Sequence, residues 1–160
     1  MTEASGVAQE IEYKFLLTGL PQRAKNEAQP FCVEHGWITG DKGVIKLRIT
    51  RNTRGEGEHW WCVKFGKGLE RTEAQETISK DLFEKLFALT EGKRVHKVRF
   101  PIEDGGFIWE FDNFIDRYLT LMEVEVPSVD TKVVIPEWIK PFIVRDVTNE
   151  PEFLNVNLAK

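Results

Sequence analysis

The chain has 160 residues, of which 41% are apolar and 30% are charged, a composition typical of a folded globular domain. It is too apolar for a disordered chain and long enough to bury a sizeable core, so we expect one domain over residues 1–160. The formal net charge of −4 gives no overall basic field that would favour nucleic acid or an anionic membrane surface as a partner. An anion would therefore have to be bound by a local cluster of bases.

The sequence contains no segment typical of membrane insertion or secretion. No apolar run approaches the roughly 18 residues needed to cross a bilayer, and residues 1–10 lack the basic and apolar regions of a signal peptide. Cys32 and Cys62 are too few and too far apart to indicate a disulfide framework or a zinc site. We expect a cytoplasmic protein whose two thiols are reduced.

Hydrophobic periodicity predicts mostly strands, with few and short helices. In chain order, the predicted elements are a strand at 9–17, a short helix that ends before Pro30, strands at 31–38, 44–51, 59–66 and 70–78, a helix at 79–92, strands at 94–102, 107–114 and 119–127, a short segment at 136–142 and a helix-like tail at 150–160. About eight antiparallel strands close most naturally as a barrel, because closure removes exposed sheet edges. The predicted fold class is therefore mainly β with short helices (α+β).

The helix predicted at 79–92 has clear boundary signals. Ser79 can cap its N-terminus and Gly92 can end it. Leu82, Leu86 and Leu89 give the spacing of three and four residues that is typical of one helix face. Helices as short as this one would have to cover the outside of a barrel.

The predicted strands carry charges that are unusual for a sheet exposed to solvent. Like charges recur at a spacing of two, as Glu10 and Glu12, Lys46 and Arg48, Lys97 and Arg99, and Glu123 and Glu125. This spacing places like charges roughly 7 Å apart on one strand face, which is costly for carboxylates unless a hard cation lies between them. The set therefore indicates acidic metal-binding and basic anion-binding positions. For any single strand a solvated outer face is the simpler explanation, so composition alone does not decide which face is the interior.

The charged motifs resemble those of one known family, in order and spacing, along nearly the whole chain. Glu10-Ile11-Glu12-Tyr13-Lys14 reads E-x-E-x-K, the N-terminal signature of the CYTH superfamily, or triphosphate tunnel metalloenzymes. The other motifs that resemble the family are K-L-R at 46–48, V-K-F-G-K at 63–67, R-T-E-A-Q at 71–75, K-V-R-F-P at 97–101, G-G-F-I-W-E-F-D-N-F at 105–114, M-E-V-E-V-P at 122–127 and the segment at 146–159. The sequence is most similar to the short bacterial tripolyphosphatase-like branch.

The resemblance implies a fold and an activity. The fold is an eight-stranded antiparallel closed barrel, open as a tunnel, with charged faces pointing inward and apolar faces pointing outward beneath short helices. The activity is metal-dependent hydrolysis of a triphosphate, with inorganic tripolyphosphate as the first substrate and Mg²⁺ or Mn²⁺ as the cofactor.

The resemblance also implies a role for individual residues. The implied phosphate-binding residues are Lys14, Lys46, Arg48, Lys64, Lys97 and Arg99. The implied metal ligands are Glu10, Glu12, Glu73, Asp112, Glu123 and Glu125. The residues expected to take part most directly in catalysis are Glu10, Glu12, Lys14, Lys64 and Arg99. Glu110 is expected to be a structural or rim partner.

Three residues depart from the family pattern. Lys46 stands where arginine is usual, Gln75 replaces the second carboxylate of R-x-E-x-E, and Pro101 replaces the last base of K-x-R-x-R. These changes leave other functions open: a nucleoside or thiamine triphosphatase, a class IV type adenylyl cyclase, or a non-catalytic module that binds polyphosphate or nucleotide. The His-Phe element that precedes E-x-E-x-K in class IV cyclases is absent from residues 2–9, which disfavours a cyclase. A homodimer formed through an apolar outer patch also stays open.

The histidine and tryptophan residues are expected to lie mainly away from the site. The positions expected at the surface or the rim are His35, His59 and His96. The positions expected to pack beneath the outer helices are Trp61, Trp109 and Trp138. Trp60 has the strand parity of Lys64, so it can line the mouth of the tunnel.

Overall fold

The computed structural model describes residues 6–39 and 46–160. Within these ranges the strands are β1 Gly6–Leu17, β2 Phe31–Thr39, β3 Lys46–Asn52, β4 Glu58–Lys67, β5 Glu70–Thr77, β6 Arg94–Asp104, β7 Phe107–Phe114, β8 Thr120–Glu125 and β9 Ile143–Asp146. The helices are α1 Gln22–Glu27, α2 Lys80–Phe87 and α3 Asn155–Leu158, with single 3₁₀ turns at Ala88–Thr90, Lys140–Phe142 and Pro151–Phe153. None of these helices is long and apolar enough to cross a membrane.

Eight of the strands form a closed antiparallel barrel. Their order around the barrel is β1-β8-β7-β6-β2-β3-β4-β5, and β5 pairs with β1 again. The first half of β1, Gly6–Ile11, pairs with β5, and its second half, Glu12–Leu17, pairs with β8. The expected eight-stranded antiparallel closed barrel is confirmed.

Most predicted elements are found, and the differences lie in the C-terminal part of the chain. The short segment predicted at 136–142 continues into β9, a strand that the sequence did not indicate. β9 pairs with the last residues of β1, Phe15–Leu17, which follow the part of β1 that pairs with β5. The helix-like tail at 150–160 forms only a 3₁₀ turn and the single-turn helix α3. The predicted turn at 39–43 and the start of the strand at 44–51 lie mostly outside the described residues.

The outward faces of the strands are apolar and are covered by short elements. Trp109, Phe111 and Val124 pack with Ala24 of α1 and Ile139 of the segment before β9. A second outer cluster lies beneath α2 and contains Ile49, Phe83, Phe87, Ile38, Leu47, Trp61, Ile78 and Leu86. The predicted inversion of polarity, with apolar residues outside the barrel and charges inside, therefore follows from strand alternation.

One end of the barrel interior is apolar rather than charged. Trp37, Val95, Phe114 and Leu121 lie on the strand faces that carry the inward charges, and they pack with Val147. The C-terminal segment covers this layer with Phe153, Val156, Leu158 and Ala159, and Leu119 of the β7–β8 connection also packs against it. Only part of the length of the interior is thus available for charged side chains.

The helix α2 begins as predicted, but its most buried side chains are not the predicted leucines, of which Leu86 packs at the edge of the outer cluster. The hydroxyl of Ser79 accepts a hydrogen bond from the backbone N–H of Leu82, which is an N-cap. The buried residues are Phe83 and Phe87, whereas Leu82 is 44% exposed and Leu89 is 68% exposed. The aromatic pair is also spaced by four residues, and its rings stack at 4.9 Å against the barrel. Both the leucines and the phenylalanines of α2 satisfy helical spacing, and the larger phenylalanine rings occupy the interface between the helix and the barrel.

Replacing Phe83 by alanine should lower the free energy of unfolding by about 3–5 kcal/mol, because the change removes a fully buried ring and leaves a cavity beneath α2. Leu82→Ala is the matched control, since that half-exposed side chain should cost less than about 1 kcal/mol. Chemical denaturation measures both values. Equal losses for the two variants would show that α2 does not present its phenylalanine face to the barrel.

Candidate active site

The barrel encloses a cavity of about 1170 Å³ that is lined by all eight barrel strands. The predicted site residues that line it are Glu10, Glu12, Lys14, Arg48, Lys64, Glu73, Lys97, Arg99, Glu123 and Glu125. Asp112 lies behind the wall of this cavity, fully buried. Lys46 begins β3, but its side chain is outside the described part of the structure.

Strand register brings the two E-x-E motifs side by side. In the β1–β8 pair, Glu12 lies opposite Glu125 and Lys14 lies opposite Glu123. The Nζ atom of Lys14 is 2.9 Å from Oε1 of Glu123. Residues two apart on one strand share a face, so the carboxylates and Lys14 all point into the lumen. Two motifs that are far apart in the sequence therefore form one acidic wall.

Arg99 is the centre of the largest ion-pair cluster. Its Nε and one terminal nitrogen donate to the two oxygens of Asp112 at 2.7 Å, in a bidentate pair. The guanidinium also contacts Glu110 at 2.5 Å and Glu123 at 2.6 Å. Burial opposes the charge of Arg99, but Asp112 and Glu110 hold its pKa well above the ordinary value. Arg99 is thus a fixed cation.

Asp112 orients bases from behind the cavity wall. Lys97 also donates to this carboxylate, and both partners are only 1% exposed. Both Asp112 oxygens are therefore occupied by bases. Its role as a metal ligand stays a prediction, and its observed contacts are those of a residue that positions Lys97 and Arg99.

A second cluster joins β1, β4 and β5. The Nζ atom of Lys64 lies 2.5 Å from Oε1 of Glu10 and 3.0 Å from Oε2 of Glu73. Arg71, which faces Glu10 across the β1–β5 pair, places a terminal nitrogen 3.0 Å from the other oxygen of Glu10. Arg71 was not among the predicted site residues. The signal that could have found it is the first position of the R-x-E motif at 71–73.

The acidic wall has too little positive charge around it. Burial and the carboxylates of Glu123 and Glu10 raise the pKa of Glu12 from 4.5 to about 7. Burial and the carboxylates of Glu10, Glu110 and Glu73 also raise the pKa of Glu125. By contrast, Lys14, Lys97 and Arg99 outweigh burial and keep the pKa of Glu123 well below its ordinary value. The electrostatic deficit is therefore greatest at Glu12 and Glu125.

The donor set fits a hard cation chemically. It consists of carboxylate oxygens, and Oε2 of Glu10 is shielded from solvent and is contacted by Arg71 at 3.0 Å without an aligned hydrogen bond. In the described ranges 6–39 and 46–160, however, no three carboxylate, imidazole or thiolate groups form a preassembled metal site. Several of the carboxylates are instead engaged by lysine and arginine. A cation would have to replace those partners.

One of the three histidine predictions is wrong. His35 was expected at the surface or the rim, but it is only 5% exposed and lines the lumen. Its position on β2 has the parity of the lumen residue Val33, which the sequence could have indicated. His96 is exposed, and His59 packs on Phe83 outside the barrel, as expected.

The tryptophan predictions agree with the structure. Trp60 lines the lumen, Trp61 lies beneath α2, and Trp109 and Trp138 belong to the outer cluster around α1. The Cys62 thiol also faces the lumen and donates to Glu73 at 3.2 Å. Burial raises the pKa of this thiol to about 12, so it stays protonated at neutral pH.

Comparison with known proteins identifies the family. The chain is 31% identical over 159 residues to an inorganic triphosphatase of Acetivibrio thermocellus, a match that covers 96% of this chain and 95% of the relative. It is 32% identical over 155 residues to an inorganic triphosphatase of Nitrosomonas europaea, covering 94% and 96% of the two chains. The chain therefore belongs to the inorganic triphosphatase branch of the CYTH-like triphosphate tunnel proteins.

Solved structures agree with this assignment. A crystal structure of an inorganic triphosphatase, 29% identical, superposes with a TM-score of 0.65 and covers 94% of this chain and 93% of that one. A putative adenylate cyclase from Bacillus halodurans is 13% identical and has a TM-score of 0.55, covering 85% and 98% of the two chains, so it shares the fold. No family model matches the sequence.

The raised pKa of Glu12 predicts a pH-dependent gain in stability for Glu12→Gln. Between pH 4.5 and about 7 the folded state keeps a proton that the unfolded state has lost, so rising pH lowers the free energy of unfolding. The amide removes this repulsion, and the variant should be more stable at pH 8 by roughly 1–3 kcal/mol. Near pH 4 the two proteins should be similar.

Chemical denaturation at pH 4 and pH 8, with a chelator present, measures the difference. Glu91→Gln, which alters an exposed carboxylate, is the control and should change little at either pH. A loss of stability for Glu12→Gln at pH 8 would contradict the crowding of carboxylates on the acidic wall.

Proposed function

We propose that the protein hydrolyses inorganic tripolyphosphate inside the barrel, releasing orthophosphate and pyrophosphate with the help of Mg²⁺ or Mn²⁺. The observation that carries this proposal is the convergence of basic and acidic side chains from separate strands on one enclosed lumen. The relatives described above are named inorganic triphosphatases, which supports the same reaction class. A highly charged substrate and a cation together account for an interior that would otherwise be costly to bury.

The basic residues are suited to hold a chain of phosphate groups. Arg48 and Arg99 can bind phosphate oxygens by two parallel hydrogen bonds, whereas Lys14 and Lys64 act as compact point charges. In the absence of an anion these bases contact carboxylates, for example Lys14 with Glu123. An entering triphosphate would therefore take over bases that are already positioned and charged.

The acidic residues are suited to hold the cation. The carboxylates proposed for this role are Glu10, Glu12, Glu73, Glu123 and Glu125. A bound divalent cation would neutralise phosphate oxygens and acidify a water molecule. Phosphoryl transfer has a loose transition state, so accurate positioning and charge neutralisation supply most of the rate. The chain does not need a nucleophilic side chain for this reaction.

Two further expectations accompany the proposal. Cys32 and Cys62 are both free thiols, which supports the expected cytoplasmic location. A homodimer stays a prediction, and exposed apolar side chains such as Tyr118 and Val134 are available for it.

A substrate panel tests the proposed reaction. We expect the protein, incubated with tripolyphosphate, ATP or thiamine triphosphate and with Mg²⁺ or Mn²⁺, to release orthophosphate mainly from tripolyphosphate. Chelation of the cation should abolish this release, and phosphate detection with chromatographic separation of products measures it. Formation of cyclic AMP and pyrophosphate, preference for an organic triphosphate, or tight binding without turnover would each overturn the proposal.

Replacing Glu123 by alanine should lower metal-dependent turnover by at least about 100-fold. The carboxylate contacts both Lys14 and Arg99 and belongs to the acidic wall, so its loss disturbs both halves of the site. Glu91→Ala, at an exposed position outside the lumen, is the matched control and should keep full activity. Circular dichroism should show that both variants are folded. A fully active, folded Glu123→Ala protein would refute the site assignment.

A further inference from the structure

His35 occupies the part of the lumen wall that lies between two basic strands. It belongs to β2, and its neighbours in the barrel are β3 and β6. Arg48 on β3 and Lys97 on β6 each face the lumen from a position diagonal to His35, because they pair with Trp37 and Val33 respectively. A phosphate chain held by Arg48 and Lys97 would therefore pass over the His35 ring.

The imidazole of His35 is held in one orientation. Its Nδ1 atom lies 2.8 Å from the hydroxyl oxygen of Thr50, which is directly opposite on β3 and fully buried. Among the described residues, Thr50 is the hydrogen-bond partner of the ring, so Nε2 is available to a ligand. Arg48 and Lys97 cannot accept a hydrogen bond, so neither can be the partner of a protonated Nε2.

The charges around His35 explain its state when no anion is present. The groups that face it are Arg48 from β3, Lys97 and Arg99 from β6, and Glu123 from β8. Burial and the three cations keep the pKa of the imidazole well below 6.5, and Glu123 opposes them only in part. At neutral pH the ring is therefore uncharged.

We propose that His35 is a substrate-binding residue that holds the triphosphate as an imidazolium and takes up one proton from solvent when the anion enters the lumen. This assigns to the neutral ring the tautomer in which Nδ1–H donates to the Thr50 hydroxyl. The new N–H bond then forms at Nε2 and donates to a phosphate oxygen, and the proton returns to solvent when the products leave. This inference rests on the proposed function, since it requires a polyanion between Arg48 and Lys97.

The proposal fixes the direction of the pH dependence of binding. Bound phosphate raises the pKa of His35 above its value in the free protein, because its negative charges offset those of the neighbouring bases. By linkage, the affinity for the anion falls as pH rises through the pKa of the complex. At a pH above the pKa of the complex, the His35 ring is neutral in both the free and the bound protein, and it no longer contributes a charge to binding.

Calorimetric titration tests the proton uptake directly. Tripolyphosphate is titrated into the full-length protein with EDTA present, at pH 6.5, in two buffers whose ionisation enthalpies differ. We expect His35→Gln to take up about one proton fewer than the wild-type protein and to bind about tenfold more weakly, with the difference in affinity shrinking towards pH 8.5. His59→Gln is the matched control, since that ring lies outside the barrel, and it should behave as the wild-type protein does.

Proton NMR of the imidazole rings provides a measurement on the wild-type protein that does not depend on the folding of His35→Gln. The chain has three histidines, so the His59→Gln and His96→Gln variants assign the His35 signal by elimination. At pH 7 this signal should move from the neutral to the protonated shift when tripolyphosphate is added.

The two possible failures can be told apart. Binding of tripolyphosphate with an unchanged number of protons in His35→Gln, or with a His35 signal that stays neutral, overturns the role of His35 and leaves the proposed function standing. A wild-type protein that neither binds nor hydrolyses tripolyphosphate overturns the proposed function itself, and this inference with it.

Discussion

The structure depends on the balance of opposite charges inside the barrel. Taking an ion out of water costs several kcal/mol even in a real protein, and this cost is offset only when each ion has well-placed partners. Arg99 meets this condition, since Asp112, Glu110 and Glu123 surround its guanidinium. Glu12 does not, because its nearest bases, Arg71 and Lys14, lie 3.5 and 3.8 Å away. The charges are thus well compensated around Arg99 and poorly compensated at Glu12.

The apolar layer at one end of the barrel limits where these charges can lie. Trp37, Phe114 and Leu121 continue the inward strand faces beyond the charged residues, and the C-terminal segment packs over them. Water is excluded from this layer, so the nearby pairs Lys97–Asp112 and Arg99–Asp112 sit in a low-dielectric surrounding. The tail, which the sequence predicts only as helix-like, therefore has a packing role that strengthens the electrostatics of the site.

Strand parity accounts for most of what the sequence could predict. Alternation places Glu10, Glu12 and Lys14 on one face, and the ordered resemblance to a family identifies that face as the interior. Parity does not give register, so the meeting of Arg71 with Glu10 across β1 and β5 could not be derived from spacing alone. The burial of His35 departs from the general tendency of histidine to be only partly buried, but it agrees with the inward parity of this position on β2.

The helix α2 lies where the sequence predicts it, but the spacing pattern is ambiguous about which face is buried. Leu82 with Leu86, and Phe83 with Phe87, both satisfy a spacing of four residues, and the two pairs lie about 100° apart around the helix. Leu86 packs at the edge of the outer cluster, whereas Leu82 is exposed. Only the shape of the barrel beneath decides between them, and it accepts the two rings beside Ile49. Secondary structure was thus readable from the sequence, while the choice of buried face required the tertiary contacts.

Under the proposed function, the ion pairs couple the anion to the cation. A triphosphate that draws Lys14 towards its own oxygens removes a base from Glu123 and leaves the acidic wall with still less positive charge. A divalent cation then binds more favourably, because it relieves repulsion that the anion has increased. Linkage makes this effect reciprocal, so a bound cation must improve the affinity for the anion by the same factor. Under this proposal each ligand would free the groups that the other one needs.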